Sequence, residues 1–162
     1  MSVVRHRGGW VILLSLVVAF LLTLVPMPEW VDRMRPQWVA MVLIYWCMAL
    51  PERVNVGTGW LLGLFMDVAQ GTLLGQHALA MSVTGFVTVA MHMRLRVLPL
   101  WQQSGTVFLL LLMNALIVYW IDGFTGHPPT DWRYLVPPVA STLLWPWTFV
   151  MLRDLRRRLR VV

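Results

Sequence analysis

Residues 55–79 read NVGTGWLLGLFMDVAQGTLLGQHAL. Asn55, Gly59, Gly63, Asp67, Gly71 and Gly75 recur every four residues, a spacing that puts successive members on one slowly drifting helix face. Gly59–Gly63 and Gly71–Gly75 are G-x-x-x-G patterns, which let helix backbones approach closely in lipid, where packing replaces the hydrophobic effect. Two such patterns flanking one acid predict a crowded central helix. An aspartate at the centre of a membrane span costs about 2.5–3.5 kcal/mol on insertion scales, so Asp67 should face protein or a wet cavity. Either it is structural, accepting hydrogen bonds from backbone N–H groups released where the helix breaks near residues 69–71, or it binds a proton, cation or ligand. The structural role is the favoured reading, because no second acid and no buried Lys or Arg pairs with it in the sequence. A structural Asp67 predicts that Asp67→Asn, which keeps an acceptor, is tolerated and that Asp67→Leu is not.

The rest of the chain places this run in a membrane. Of 162 residues, 59% are hydrophobic and 12% charged, against roughly 45–50% and 25% in ordinary soluble domains. A core of this size could not hide so much apolar surface from water, whereas a bilayer can. The apolar runs fall at about residues 9–27, 37–50, 54–74, 77–93, 104–121 and 134–152. They predict an all-α integral membrane protein of about six transmembrane helices in one polytopic domain, 1–162. The second run is short, at 14 residues, leaving open a short partner of a tilted neighbour, a locally thinned span or a re-entrant segment. Arg5, His6 and Arg7 before the first run imitate a signal peptide. No A-x-A cleavage pattern follows, so an uncleaved first helix is expected.

All thirteen basic residues of the +6 chain are Arg. With a cytoplasmic N-terminus, Arg5, Arg7, Arg53, Arg94, Arg96, Arg153, Arg156, Arg157, Arg158 and Arg160 fall on the cytoplasmic side, and Arg33, Arg35 and Arg133 outside. Ten against three satisfies the positive-inside rule and puts both termini in the cytoplasm. Trp10 and Trp101 at one edge, and Trp30, Trp38, Trp120, Trp132 and Tyr134 at the other, suit interfacial anchoring. Residues 153–162 form a basic cytoplasmic amphipathic tail. Its Arg153, Arg156, Arg157, Arg158 and Arg160 are candidates for contact with anionic lipid, at about 1 kcal/mol each, or for docking a cytoplasmic partner.

Other chemistry is thinly represented. Cys47 stands alone in an apolar run, the four His residues are scattered, and the sequence has no metal-binding or nucleophile-elbow motif. No catalytic residue, cofactor or metal is expected. The basic residues sit at the ends of apolar runs rather than on a polar face, so no nucleic-acid partner is expected either.

The run G-x-x-x-G-L-x-x-D of residues 59–67, with Gly71, Leu74-Gly75 and Ala78-Leu79 after it, resembles the signature of the rod shape-determining MreD family. The likeness spans the whole chain in length and hydropathy, but only 59–79 is specific. It implies a non-enzymatic inner-membrane scaffold of the bacterial elongation machinery. The implied partners are the bitopic protein MreC and, directly or through it, the glycan polymerase RodA, a class B penicillin-binding transpeptidase and the actin-like MreB. Asn55, Gly59, Gly63, Phe65, Asp67, Gly71 and Gly75 are then the candidate helix-packing and partner-binding residues. The family fold is similar to the substrate-binding membrane subunits of energy-coupling-factor transporters, so the alternative is a small-molecule-binding transporter subunit. Those proteins hold their ligand under an extended first loop, whereas residues 28–35 are short.

The arginine split makes topology directly testable. Reporter fusions after Arg53, Arg96 and Val162 should read as cytoplasmic, and fusions near Arg33, Gln76 and Thr130 as periplasmic. A periplasmic C-terminus would refute six spans.

Overall fold

The computed structural model describes residues 8–126 and 132–161, so Arg5, His6, Arg7, His127, Thr130 and Val162 lie outside the described residues. It is all helical among those residues. The elements are α1 (Gly9–Leu24), the one-turn α2 (Glu29–Asp32), α3 (Trp38–Ala49), α4 (Val56–Gln70), α5 (Gln76–Val97), α6 (Leu100–Phe124), a 3-10 turn (Trp132–Leu135) and α7 (Val136–Arg158). By length and composition α5 and α6 can each cross a membrane, while α1 and α3 are shorter apolar helices.

The second apolar run, α3, is the centre of the bundle. Every residue from Val39 to Ala49 is buried, and α1, α5, α6 and α7 all pack on it. A helix apolar on every side is one buried on every side. Its 12 residues span about 18 Å, well short of a hydrocarbon core of about 30 Å. Sheathed by longer helices, α3 has no lipid contact to match. It nonetheless joins the two ends of the bundle: Gln37 to Ala40 line a cavity at one end, and Tyr45, Met48 and Ala49 line another at the opposite end.

One expectation is corrected here. The crowded central helix is α3, not α4, which packs extensively only on α5 among the described residues. The stripe in α4 serves one neighbour, because small residues mark a close contact without saying how many there are. Residues 153–158 continue α7 to Arg158.

Within lipid, backbone groups at helix ends must find protein partners, and polar side chains supply them. Arg96 of α5 donates through Nε to Met48 O (2.8 Å) and through a terminal nitrogen to Ala49 O (2.6 Å), capping the C-terminus of α3 with a cation. Arg35 donates to Thr23 O and Val25 O at the end of α1 and pairs with Asp32 at 2.8 Å. Leu95 O would normally receive the N–H four residues on, but that residue is Pro99, which has none. Buried Gln103 fills the gap, with Nε2 donating to Leu95 O (3.0 Å) while Oε1 accepts from Trp145 Nε1 (3.1 Å). Trp46 Nε1 donates to Ser15 Oγ (2.8 Å), tying α3 to α1.

The two ends of the described chain meet. A Cβ on Gly8 would lie 2.8 Å from Val161 Cγ2, so the start of α1 and the end of α7 share one face of the bundle. Arg96 and the α7 arginines lie at that same end.

Candidate functional site

The specific stretch of the sequence folds into a sealed helical hairpin. Asn55 starts α4 as its N-cap, its Oδ1 accepting from Gly57 N–H at 3.1 Å. One turn on, Gly59 faces α5, where a Cβ would lie 2.7 Å from Met81 O. Gly63 is tighter still: a Cβ there would run into the backbone of His77 and Ala78. These two glycines and Asp67 form one edge of α4, turned to α5.

Gly71 and Gly75 do different work. A Cβ added at either would meet nothing within 4 Å, and both have positive φ, 69° and 103°. Gly71 ends α4 in the left-handed region, and Thr72 N–H then reaches back to Asp67 O (3.1 Å) in a Schellman-type closure. Gly75 is the N-cap of α5. Their expected role in helix packing is therefore corrected to turn-making, since the four-residue spacing continues past the end of the helix that gave it meaning. Phe65 is 64% exposed and lies outside the chain's own core.

Asp67 closes the hairpin. It is 1% exposed, and five donors reach its carboxylate. Oδ1 accepts from Thr72 Oγ1 (2.9 Å), His77 N–H (2.9 Å) and His77 Nδ1 (2.8 Å). Oδ2 accepts from Gly75 N–H (2.9 Å) and, more weakly, Ala78 N–H (3.4 Å). Three of these donors are amides of the N-cap and first turn of α5, whose N-cap glycine offers no side chain. Asp67 thus caps α5 from the end of α4, with its charge at the positive end of the α5 dipole. Sequence reasoning missed Thr72 and His77, whose signal was their place in the turn directly after the acid.

Around this turn lies a cavity of about 640 Å3 between the ends of α1, α3, α4, α5, α6 and α7. Gln76, buried in the wall beside it, donates to Asp122 Oδ1 (2.6 Å) and Val118 O (3.3 Å). Asp122 lies inside α6, a second acid within a helix of the bundle. Asn114 lines the cavity, is 4% exposed, and has an Oδ1 without a hydrogen-bond partner. Gln37 Oε1, also on the lining, lacks one too. Among the described residues no three His, Cys, Asp or Glu side chains are grouped to hold a metal. At the opposite end, Arg153, Arg156, Arg157 and Arg160 gather with Arg96 around a second cavity of about 450 Å3, while Arg158 is exposed and does not line it.

The model of a family described as rod shape-determining protein MreD matches residues 4–155. The rod shape-determining protein MreD of Haemophilus influenzae is 36% identical over 154 residues, covering 94% of each chain. No solved structure matches this chain.

The filled carboxylate changes what substitution should do. Asparagine would turn an NH2 towards N–H donors that Oδ1 or Oδ2 now accepts, so Asp67→Asn should be destabilised rather than tolerated, by about 1–3 kcal/mol for each donor left unpaired. Asp67→Leu should be worse, and Gly63→Ala should also lose folded protein. Gly105→Ala, in α6 with nothing within 4 Å of the added carbon, should not. Melting of purified variants in detergent gives the order. Wild-type melting of Asp67→Asn and Gly63→Ala would show that the hairpin contact is not tight.

Proposed function

The chain belongs to the rod shape-determining MreD family, and we propose that it is a non-enzymatic scaffold of the elongation complex in the bacterial inner membrane, with both termini in the cytoplasm. As a member it is a membrane protein of cell-shape determination. The proposed direct partner is MreC. RodA, the class B transpeptidase and MreB join directly or through MreC, so that helix contacts in lipid place cell-wall synthesis where MreB runs.

One observation carries the scaffold reading. α4 is held through one edge, while Trp60, Leu61, Phe65 and Val68 lie exposed on its remaining surface, Val68 at 73%. A rigid hairpin with an aromatic, unpartnered face suits a single transmembrane helix of a bitopic protein, since helix association in lipid rests on packing. Asp67 supports the non-enzymatic part: its acceptors are occupied by the chain's own donors, which leaves little for substrate chemistry.

The cavity of about 640 Å3 favours a second reading, a small-molecule-binding transporter subunit. Its volume lies in the range of ligand sites, and the unpaired Asn114 Oδ1 is a polar group a ligand could satisfy. Purified protein carrying one equivalent of a small ligand would favour that reading, and co-purification of a bitopic partner the scaffold.

In a Cys47→Ala background, Phe65→Cys and Val68→Cys should crosslink to a cysteine in the MreC transmembrane helix. Leu13→Cys on the exposed side of α1 should not. Equal crosslinking at all three positions, or crosslinking at Leu13→Cys alone, would move MreC off α4.

A further inference from the structure

At the end of the bundle where the two termini meet, Arg96, Arg153, Arg156, Arg157 and Arg160 surround a cavity of about 450 Å3. No Asp or Glu is among the described residues that line it. Five guanidinium groups without a lining carboxylate repel one another, and an anion among them would relieve that repulsion. The arginines do not reach this place as a loose tail. Residues 153–158 are held in α7, and the chain then reverses at Arg160, whose φ of 47° is rare for a side chain other than glycine. Val161 N–H closes the reversal on Arg156 O (3.1 Å), and Val161 is buried against the start of α1. Ordering the last residues in this way draws Arg160 back to the cavity instead of releasing it.

The five arginines are not equally committed. Arg96 spends Nε and one terminal nitrogen on Met48 O and Ala49 O. Arg153 lies with its guanidinium carbon 5.7 Å from the Phe149 ring centre, and its buried Nε has no hydrogen-bond partner. Guanidinium forks match phosphate oxygens bidentately. Tyr45, Met48, Ala49 and Phe149 complete the lining, with Phe149 under the Arg153 guanidinium and the Tyr45 hydroxyl beside Arg156. A cluster of cations at the end of a membrane bundle fits the headgroup of an anionic lipid.

We propose that this cavity binds a phosphate-bearing anion carrying more than one phosphate group, presented as the headgroup of an anionic membrane lipid, with Arg153 and Arg156 as its principal ligands. Basic pockets between membrane helices are suited to such headgroups. The site is separate from the α4 face assigned to MreC, so either can fail without the other.

The probes are phosphatidylcholine nanodiscs doped with cardiolipin, whose headgroup has two phosphates, and inorganic pyrophosphate added to nanodiscs of phosphatidylcholine alone. Full-length wild type, Arg153→Gln, Arg156→Gln and Arg158→Gln are compared by native mass spectrometry for retained lipid and by melting for ligand-induced stabilisation. Each variant loses one charge, so a diffuse surface attraction affects all three alike. Wild type and Arg158→Gln should retain cardiolipin, whereas Arg153→Gln and Arg156→Gln should each lose about tenfold or more in affinity, the scale of one charge-assisted contact. Unliganded melting separates loss of binding from loss of fold. Stabilisation by pyrophosphate that disappears in the same two variants supports the phosphate site with a soluble source. Equal loss in Arg158→Gln, or no binding of either probe by wild type, overturns the proposal.

Discussion

A turn between two helices of the bundle leaves amides without helical partners, and here one carboxylate takes them. Asp67 accepts from Gly75, His77 and Ala78 N–H groups and from the Thr72 and His77 side chains. The close packing of α4 on α5 depends on it, because Gly59 and Gly63 bring the two backbones together only while the turn holds its register. Hydrogen bonds to a charged group contribute about 1.5–3 kcal/mol each, enough to offset the several kcal/mol of placing an aspartate in the bilayer. The same rule recurs wherever a helix ends inside the bundle. Arg35 serves α1, Arg96 serves α3, and Gln103 serves the carbonyl that Pro99 cannot.

With its ends satisfied, a 12-residue helix can be the core. α3 gives up lipid contact and lets α1, α5, α6 and α7 close around it, with Tyr45 set edge-on to Phe149 of α7 at 5.6 Å. α1 and α4 are left on the periphery, each with a broad exposed apolar face. Shortness also leaves room at both ends of α3. One end opens into a cavity of mixed polarity bearing Asn114, Gln37, His77 and Asp122, and the other into the cavity of arginines. The same geometric fact thus underlies both the central packing and the two recesses.

Hydropathy locates the six helices of three turns or more to within a few residues at most ends, because each is set by its own run of apolar residues. It cannot rank them. A 14-residue run between Pro36 and Pro51 reads as a weak span on its own, and only the surrounding helices make α3 the core. The four-residue stripe points to the right segment but assigns one role to six positions. Gly59 and Gly63 lie within α4 and pack, while Gly71 and Gly75 lie beyond its end and turn the chain. Knowing where the helix stops decides between these roles, and helix ends are poorly marked when a side chain from another element supplies the cap. Gln76 and Gln103 are invisible in the sequence for a related reason: each owes its importance to a partner in another helix or a distant turn, 46 and eight residues away. Counting arginines by side also treats them too uniformly, since Arg35 and Arg96 hold helix ends as well as marking sides.

The central claim is that Asp67 holds the first turn of α5 from the end of α4. Amide hydrogen exchange of Gly75, His77 and Ala78, measured in nanodiscs for wild type and Asp67→Asn, tests it most directly. The account predicts slow exchange in wild type, marked acceleration at these three amides in the variant, and unchanged exchange along α6 and α7. Fast exchange at these amides in wild type, or protection that survives the substitution, would contradict it.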